Sequence, residues 1–310
     1  MRRVFRRKLF GAVLLGSILA AGGSVLWERG VINLPPVALH TLRLLRASIA
    51  MVEPAATVKL NLPFHRQEHA LSCEAASLKT ALAASGLDIP EAEVLRALPF
   101  ERTPRAGGVW GDPDKGFVGN IDGRMLVDGY GVYAGPITKA GLRWRRTEAL
   151  SGATPQDLTA HLAAGRPVVV WGYVGRGNAV SWLTPEGKRV NAVNGEHTRV
   201  VYGFSGPPEN PSGLFLIDPV YGHAYWDIDT FMQQWERLGR MAVAVYPYPQ
   251  WVRAEGDARV WEISKDGITR HWMRMTWDAF ERRGGFVEAV QEIPAAELER
   301  FVLGPDIVEL

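Results

Sequence analysis

The chain has a single cysteine, Cys73, among 310 residues. One thiol excludes an internal disulfide framework and any zinc site built from several cysteines. Net charge is also scarce: 35 basic residues face 33 acidic ones. Five of the basic residues (Arg2, Arg3, Arg6, Arg7, Lys8) fall in the first eight positions, leaving 30 basic against 33 acidic. No basic stripe suited to nucleic acid remains. No G-x-x-x-x-G-K-[ST] run is present despite abundant glycine, which argues against a phosphate cradle. The histidines show no metal-binding spacing, so neither a metal nor an organic cofactor is expected. What is present, 47% hydrophobic and 22% charged residues, describes a globular chain with room for two domains.

The longest uncharged run is Leu9 to Trp27. Behind its basic cluster it has the n-region and h-region of an export signal. We read residues 1–27 as a signal and uncleaved membrane anchor, with residues 9–27 in the membrane and the bulk extracytoplasmic. Small residues at Ala20-Ala21-Gly22-Gly23 would suit a signal peptidase, and cleavage there would give a secreted form. No cysteine follows the run to carry a lipid. Residues 28–57 form a juxtamembrane connector, in which Pro35-Pro36 precede an apolar run from Val37 to Val52 at helical spacing.

Cys73 lies six residues after Gln67 and immediately after Ser72, a candidate N-cap. The sequence from Glu74 to Ser85 is rich in Ala and Leu and stops at Gly86. This predicts a helix with Cys73 in its first turn, where unpaired N–H groups and the macrodipole would lower the thiol pKa. The spacing to Gln67 allows a side-chain amide to share an oxyanion hole with the Cys73 N–H. A nucleophile needs a base and the base an orienter. His197 opens a β-branched, strand-like run, Gly195 to Phe204, and the next apolar run, Gly213 to Ile217, delivers Asp218 before Pro219. Two adjacent antiparallel strands would set imidazole and carboxylate side by side. His65 and His69 flank Gln67 and are read as rim residues.

Together Gln67, Cys73, His197 and Asp218-Pro219 resemble the papain-like cysteine peptidases related to the bacteriocin double-glycine leader-processing peptidases, in their stand-alone bacterial form. Gly116-Phe117-Val118-Gly119, Gly129-Tyr130-Gly131-Val132-Tyr133 and Gly165-Arg166-Pro167-Val168-Val169-Val170-Trp171 are similar to that family in order and spacing. The resemblance covers about residues 58–248. It implies an α+β papain-like fold, a nucleophile helix packed on an antiparallel sheet, over residues 58–250. It also implies Cys73 as nucleophile, His197 as base and then acid, Asp218 as orienter and Gln67 as oxyanion donor, acting on a peptide or protein substrate. The chain departs from the transporter-linked members in having no exporter domain and in Glu74 after the cysteine, so cleavage of double-glycine leaders is not among the expectations carried over.

Between helix and histidine strand, residues 107–133 form a long glycine-rich region. We read it as one wall of a substrate cleft, with Trp110, Phe117, Tyr130 and Tyr133 as apolar contacts; pinning the loop to the core is the competing explanation. From Trp251 a small α+β module (residues 251–310) is expected. It comprises a hairpin, Val260 to Ser264 and Ile268 to Trp272, turning at Lys265-Asp266-Gly267, followed by a helix from Thr276 that ends at Gly284-Gly285. It resembles a short module of bacterial surface proteins, which implies an accessory role or a cell-surface partner. Two other functions stay open: a cell-wall peptidoglycan amidase or endopeptidase of another papain-like lineage, and a catalytically silent peptide-binding protein on the same fold.

Overall fold

The computed structural model describes residues 54–309. The anchor segment and nearly all of the connector lie outside the described residues, and among the described residues no helix is long and apolar enough to cross a membrane. Residues from Ala56 onward form one compact unit. In chain order the strands are β1 (Val58–Lys59), β2 (Phe100–Glu101), β3 (Phe117–Val118), β4 (Thr147–Leu150), β5 (Val168–Tyr173), β6 (Ala179–Leu183), β7 (Arg189–Val193), β8 (Glu196–Ser205), β9 (Gly213–Asp218), β10 (Gly222–Asp227), β11 (Ala242–Val245), β12 (Trp251–Ala254), β13 (Trp261–Ile263), β14 (Thr269–Arg274), β15 (Val290–Ile293), β16 (Val302–Leu303) and β17 (Ile307–Val308). The α-helices are α1 (Cys73–Leu82), α2 (Glu91–Ala97), α3 (Ala134–Gly141), α4 (Pro155–Ala163), α5 (Ile228–Trp235), α6 (Trp277–Arg282) and α7 (Ala295–Leu298).

An antiparallel sheet of order β10-β9-β8-β5-β11-β4, with β1 also paired to β8, organises residues 58–245. Its inner strands are apolar on both faces, as a sheet covered on both sides requires. Period-two alternation sorts their side chains. Val169, Trp171, Val200, Phe215, Ile217, Val243 and Val245 share one core with Ala75 and Leu78 of α1 and Ile137 of α3. Val168, Val170, Val201, Leu214, Leu216, Ala242 and Ala244 share the other with α4 and α5 through Leu158, Leu162, Phe231 and Trp235. The α1 helix thus packs on one face only.

The α1 helix begins at Cys73 and runs into a 3₁₀ turn (Ala83–Ser85) that closes on Gly86 at φ +76°, a left-handed C-terminal stop. Ser72 occupies the N-cap position but does not cap: its Oγ exchanges hydrogen bonds with the backbone of His69. At Gly203 the chain has no room for a side chain, since a Cβ there would meet the Val58 carbonyl oxygen at 2.5 Å. Glycine therefore lets β1 cross closely over β8.

A second, mixed sheet begins at Trp251, in the order β15-β12-β13-β14-β16 with β17 on β14. The expected hairpin is β13 and β14, paired antiparallel, and the expected helix is α6, capped by the Thr276 hydroxyl and followed by Gly284 at φ +87°. Leu142 of the first part shares a core with Trp251, Met273 and Phe280, and the Arg146 guanidinium donates to the Ile263 carbonyl and to Glu262. The second sheet is fastened to the first by burial as well as by an ion pair.

Candidate active site

β8 and β9 form the adjacent antiparallel pair that the sequence predicts, and they bring His197 and Asp218 together. His197 Nε2 lies 3.0 Å from Asp218 Oδ1, and Arg199 Nε donates to Asp218 Oδ2 at 2.8 Å. The backbone N–H groups of Val220 and Tyr221 donate to Oδ1 at 2.8 and 3.1 Å. Burial opposes the charge of Asp218, but the His197 hydrogen bond, the His197 and Arg199 charges and the Val220 N–H hold its carboxyl far below the usual range. His197 moves down from its ordinary value, chiefly through burial and with Arg199 reinforcing, against the pull of Asp218. The ring is neutral at neutral pH. With Asp218 accepting from Nε2, the basic lone pair is on Nδ1, which has no hydrogen bond among the described residues.

Cys73 turns the other way. Strand alternation puts Glu196 and Thr198 on the α1 face of β8, and His197 and Arg199 on the opposite face. Ser77 of α1 meets the Thr198 hydroxyl at 3.1 Å. The Cys73 thiol donates to Glu74 Oε2 at 3.3 Å, and no hydrogen bond joins it to His197 among the described residues. The lowered thiol pKa expected from the helix N-terminus is reversed. Burial pushes Cys73 well above its ordinary value, and the charges of Glu74 and Glu196 push the same way, outweighing hydrogen bonds from Thr198. In this conformation the sulfur is a protonated thiol rather than a thiolate paired with imidazolium.

Gln67 is tied into its own loop. Its Nε2 donates to the carbonyls of His69 at 2.8 Å and Ala70 at 3.0 Å, while its backbone N–H donates to the Pro219 carbonyl at 3.0 Å. The amide expected in an oxyanion hole is thus occupied, though its loop is anchored next to Asp218. His65 is more than a rim residue: Nε2 lies 2.7 Å from the fully buried Glu91. The four expected cleft aromatics are buried, and of them Trp110 also borders a surface pocket beside Phe100 and Arg105. Trp110, Phe117 and Tyr130 are each 1% exposed and Tyr133 is 7% exposed. Trp110 and Tyr130 pack edge-on or tilted against Trp182, and Tyr130 against Tyr133. Backbone hydrogen bonds such as Trp110 N–H to Leu183, Phe117 N–H to Pro99 and Tyr130 N–H to Val118 hold the region 107–133, and these rings add packing to it.

Two buried acids stand beside the sulfur, Glu74, which the sequence reading gave no role at the site, and Glu196, which it did not single out. Both are buried, and both have their pKa raised, first by burial; the Glu74 carboxyl is pushed up to about 7. The signal for Glu196 was there: a residue next to His197 on an alternating strand must face the other way. Nothing in the sequence signals that this face holds the sulfur.

Comparisons with known proteins agree with this architecture. The model of the family described as "Peptidase_C39 like family" matches residues 59–243. The chain is 26% identical over 179 residues to the uncharacterized protein YvpB of Bacillus subtilis (strain 168), a match spanning 56% of this chain and 68% of YvpB. The crystal structure of a putative C39-like peptidase from Bacillus anthracis is similar with a TM-score of 0.54 and 25% identity, covering 62% of this chain and 98% of that one. A double glycine motif protease from an AMS/PCAT transporter, solved with its leader peptide, aligns at a TM-score of 0.34 and 16% identity, over 63% of this chain and 99% of that one.

Proposed function

Because the chain belongs to the peptidase C39-like family, we propose that it is a cysteine peptidase in which Cys73 attacks an amide carbonyl, with His197 as base, Asp218 as orienter and Gln67 as oxyanion donor. The observation that carries this reading is the His197–Asp218 hydrogen bond. It fixes the tautomer that leaves Nδ1 basic, on a strand against which the Cys73 helix packs. The reaction begins when the thiol leaves Glu74 and gives its proton to Nδ1 of His197. The sulfur adds to the carbonyl, and the oxyanion forms against the Cys73 N–H and a Gln67 amide released from its loop carbonyls. His197 then protonates the leaving amine, and water, deprotonated by His197, hydrolyses the thioester. The substrate is a peptide or protein outside the cytoplasm, reached through an N-terminal anchor, and the second sheet serves surface attachment.

A second reading, peptide binding without turnover, is favoured by the protonated, Glu74-bound sulfur. The test offers the full chain a mixed peptide library and peptidoglycan fragments beside Cys73→Ala and Gln67→Ala. Peptide cleavage absent in Cys73→Ala and slowed on the order of 10²- to 10³-fold in Gln67→Ala is expected. Full activity in Cys73→Ala ends the reading. A wild-type chain that binds peptides without cleaving them favours the second, and cleavage of cell-wall fragments alone identifies an amidase.

A further inference from the structure

Behind the nucleophile lies a charge arrangement that the proposed chemistry does not use. Cys73, Glu74 and Glu196 each offer one ligand atom, and the three atoms lie within 4.8 Å of one another. Glu196 is 3% exposed, and neither of its carboxylate oxygens has a hydrogen-bond partner. A buried carboxylate is ordinarily paired or bound to a metal. Arg199, whose charge acts on Glu196, is instead hydrogen bonded to Asp218 and lies over the Trp226 ring. Glu74 Oε1 accepts the Val132 N–H at 2.6 Å, which leaves Oε2 turned to the thiol. Room for two carboxylates comes from Gly131, where a Cβ would lie 2.5 Å from Glu74 Oε1 and 2.6 Å from Glu196 Oε2.

A second acidic cluster shows what a satisfied arrangement looks like. His65, Glu68 and Glu91 also gather three ligand atoms. There Glu91 receives His65 Nε2 at 2.7 Å and the Glu68 backbone N–H on both oxygens. Internal partners account for that cluster in full, whereas around Glu196 they are missing.

We propose that Cys73, Glu74 and Glu196 form a binding site for a zinc-class divalent cation, which holds the sulfur in the acidic pocket and blocks it as a nucleophile. One thiolate with two carboxylates suits a borderline-soft ion such as Zn²⁺ and disfavours Ca²⁺ and Mg²⁺, which take oxygen alone. Binding forms a metal–sulfur bond and releases the thiol proton, with any carboxyl proton, to water. The inhibitory role rests on the peptidase reading; the metal site stands without it.

The test titrates the full chain with Co²⁺, reading the thiolate-to-cobalt absorption, and then displaces it with Zn²⁺. One ion per chain is expected, with no such absorption in Cys73→Ser and at least about tenfold weaker binding in Glu196→Gln or Glu74→Gln, each checked for fold by circular dichroism. No thiolate absorption in the wild type, or unchanged affinity in both folded glutamine variants, overturns the site. Peptide hydrolysis is followed separately with and without Zn²⁺. Metal uptake without any hydrolysis removes the peptidase reading and leaves the site, whereas hydrolysis in a chain that takes up no metal does the reverse.

Discussion

The two faces of the sheet at β8 and β9 meet acids in opposite condition, Asp218 at the end of β9 and Glu196 at the start of β8. On one face Asp218 receives an imidazole, a guanidinium and two backbone N–H groups, and its charge is favoured despite burial. On the other, Glu196 receives nothing, faces Glu74, and is pushed toward its neutral form. Burial is comparable on both sides, so donors rather than depth decide whether a carboxyl is charged. The comparison also bears on the sulfur, which burial holds protonated and which the neighbouring acids Glu74 and Glu196 push the same way.

The largest effect is expected where the satisfied side is broken. Asp218→Asn leaves Arg199 buried without its counter-charge and should cost about 3–5 kcal/mol, read as a fall in the urea midpoint; an unchanged midpoint would show that the network carries no stability.

The pH dependence should separate the two faces next. Asp218 has a depressed pKa, so its contribution is present above the ordinary carboxylate range and is lost only in strong acid. Glu74 has a raised pKa: between about 4.5 and about 7 the folded chain keeps a proton that the unfolded chain has released, so stability falls as pH rises through that window. Glu74→Gln should flatten this loss, on the order of a few kcal/mol, in melting temperatures taken at pH 5 and pH 8. A slope identical to the wild type would contradict the assignment.

A subtler difference lies in the thiol itself. Wild-type Cys73 should be alkylated appreciably only above the ordinary thiol range of about 8.5, and Glu196→Gln should move the midpoint of the rate profile down. A wild-type midpoint below that range would refute the influence of the acids. The smallest effect is expected for Thr198→Val, which removes the hydroxyl facing Ser77 at about 1 kcal/mol and should barely move the denaturation midpoint.

Much of the frame was legible because it rests on local patterns. The Ala/Leu run with its Gly86 stop became α1, the β-branched run after Gly195 became β8, and the run ending at Asp218 became β9, with His197 and Asp218 paired as expected. Asp266-Gly267 marked the hairpin of the second sheet. Side-chain destinations were less legible. Trp110, Phe117, Tyr130 and Tyr133 read equally as cleft or core, since composition does not tell which side of a loop meets the protein. The Cys73 pKa depends first on burial, then on Glu74, one residue away, and Glu196, more than a hundred residues on, so its sign came from tertiary packing rather than from the helix terminus. Gln67 had the right spacing, but its amide found nearer acceptors in its own loop.

The hydrogen bond from the Gln67 N–H to the Pro219 carbonyl links the loop that leads into α1 to the residue after Asp218. In hydrogen-exchange terms, the Gln67 amide proton is a reporter placed outside the sheet that senses the end of β9. It exchanges when the loop lifts away from that end, while amides within β8, paired along both edges, wait for the whole sheet to open. The ratio of those two exchange rates measures how independently the Gln67 loop can open while the strand carrying His197 stays closed.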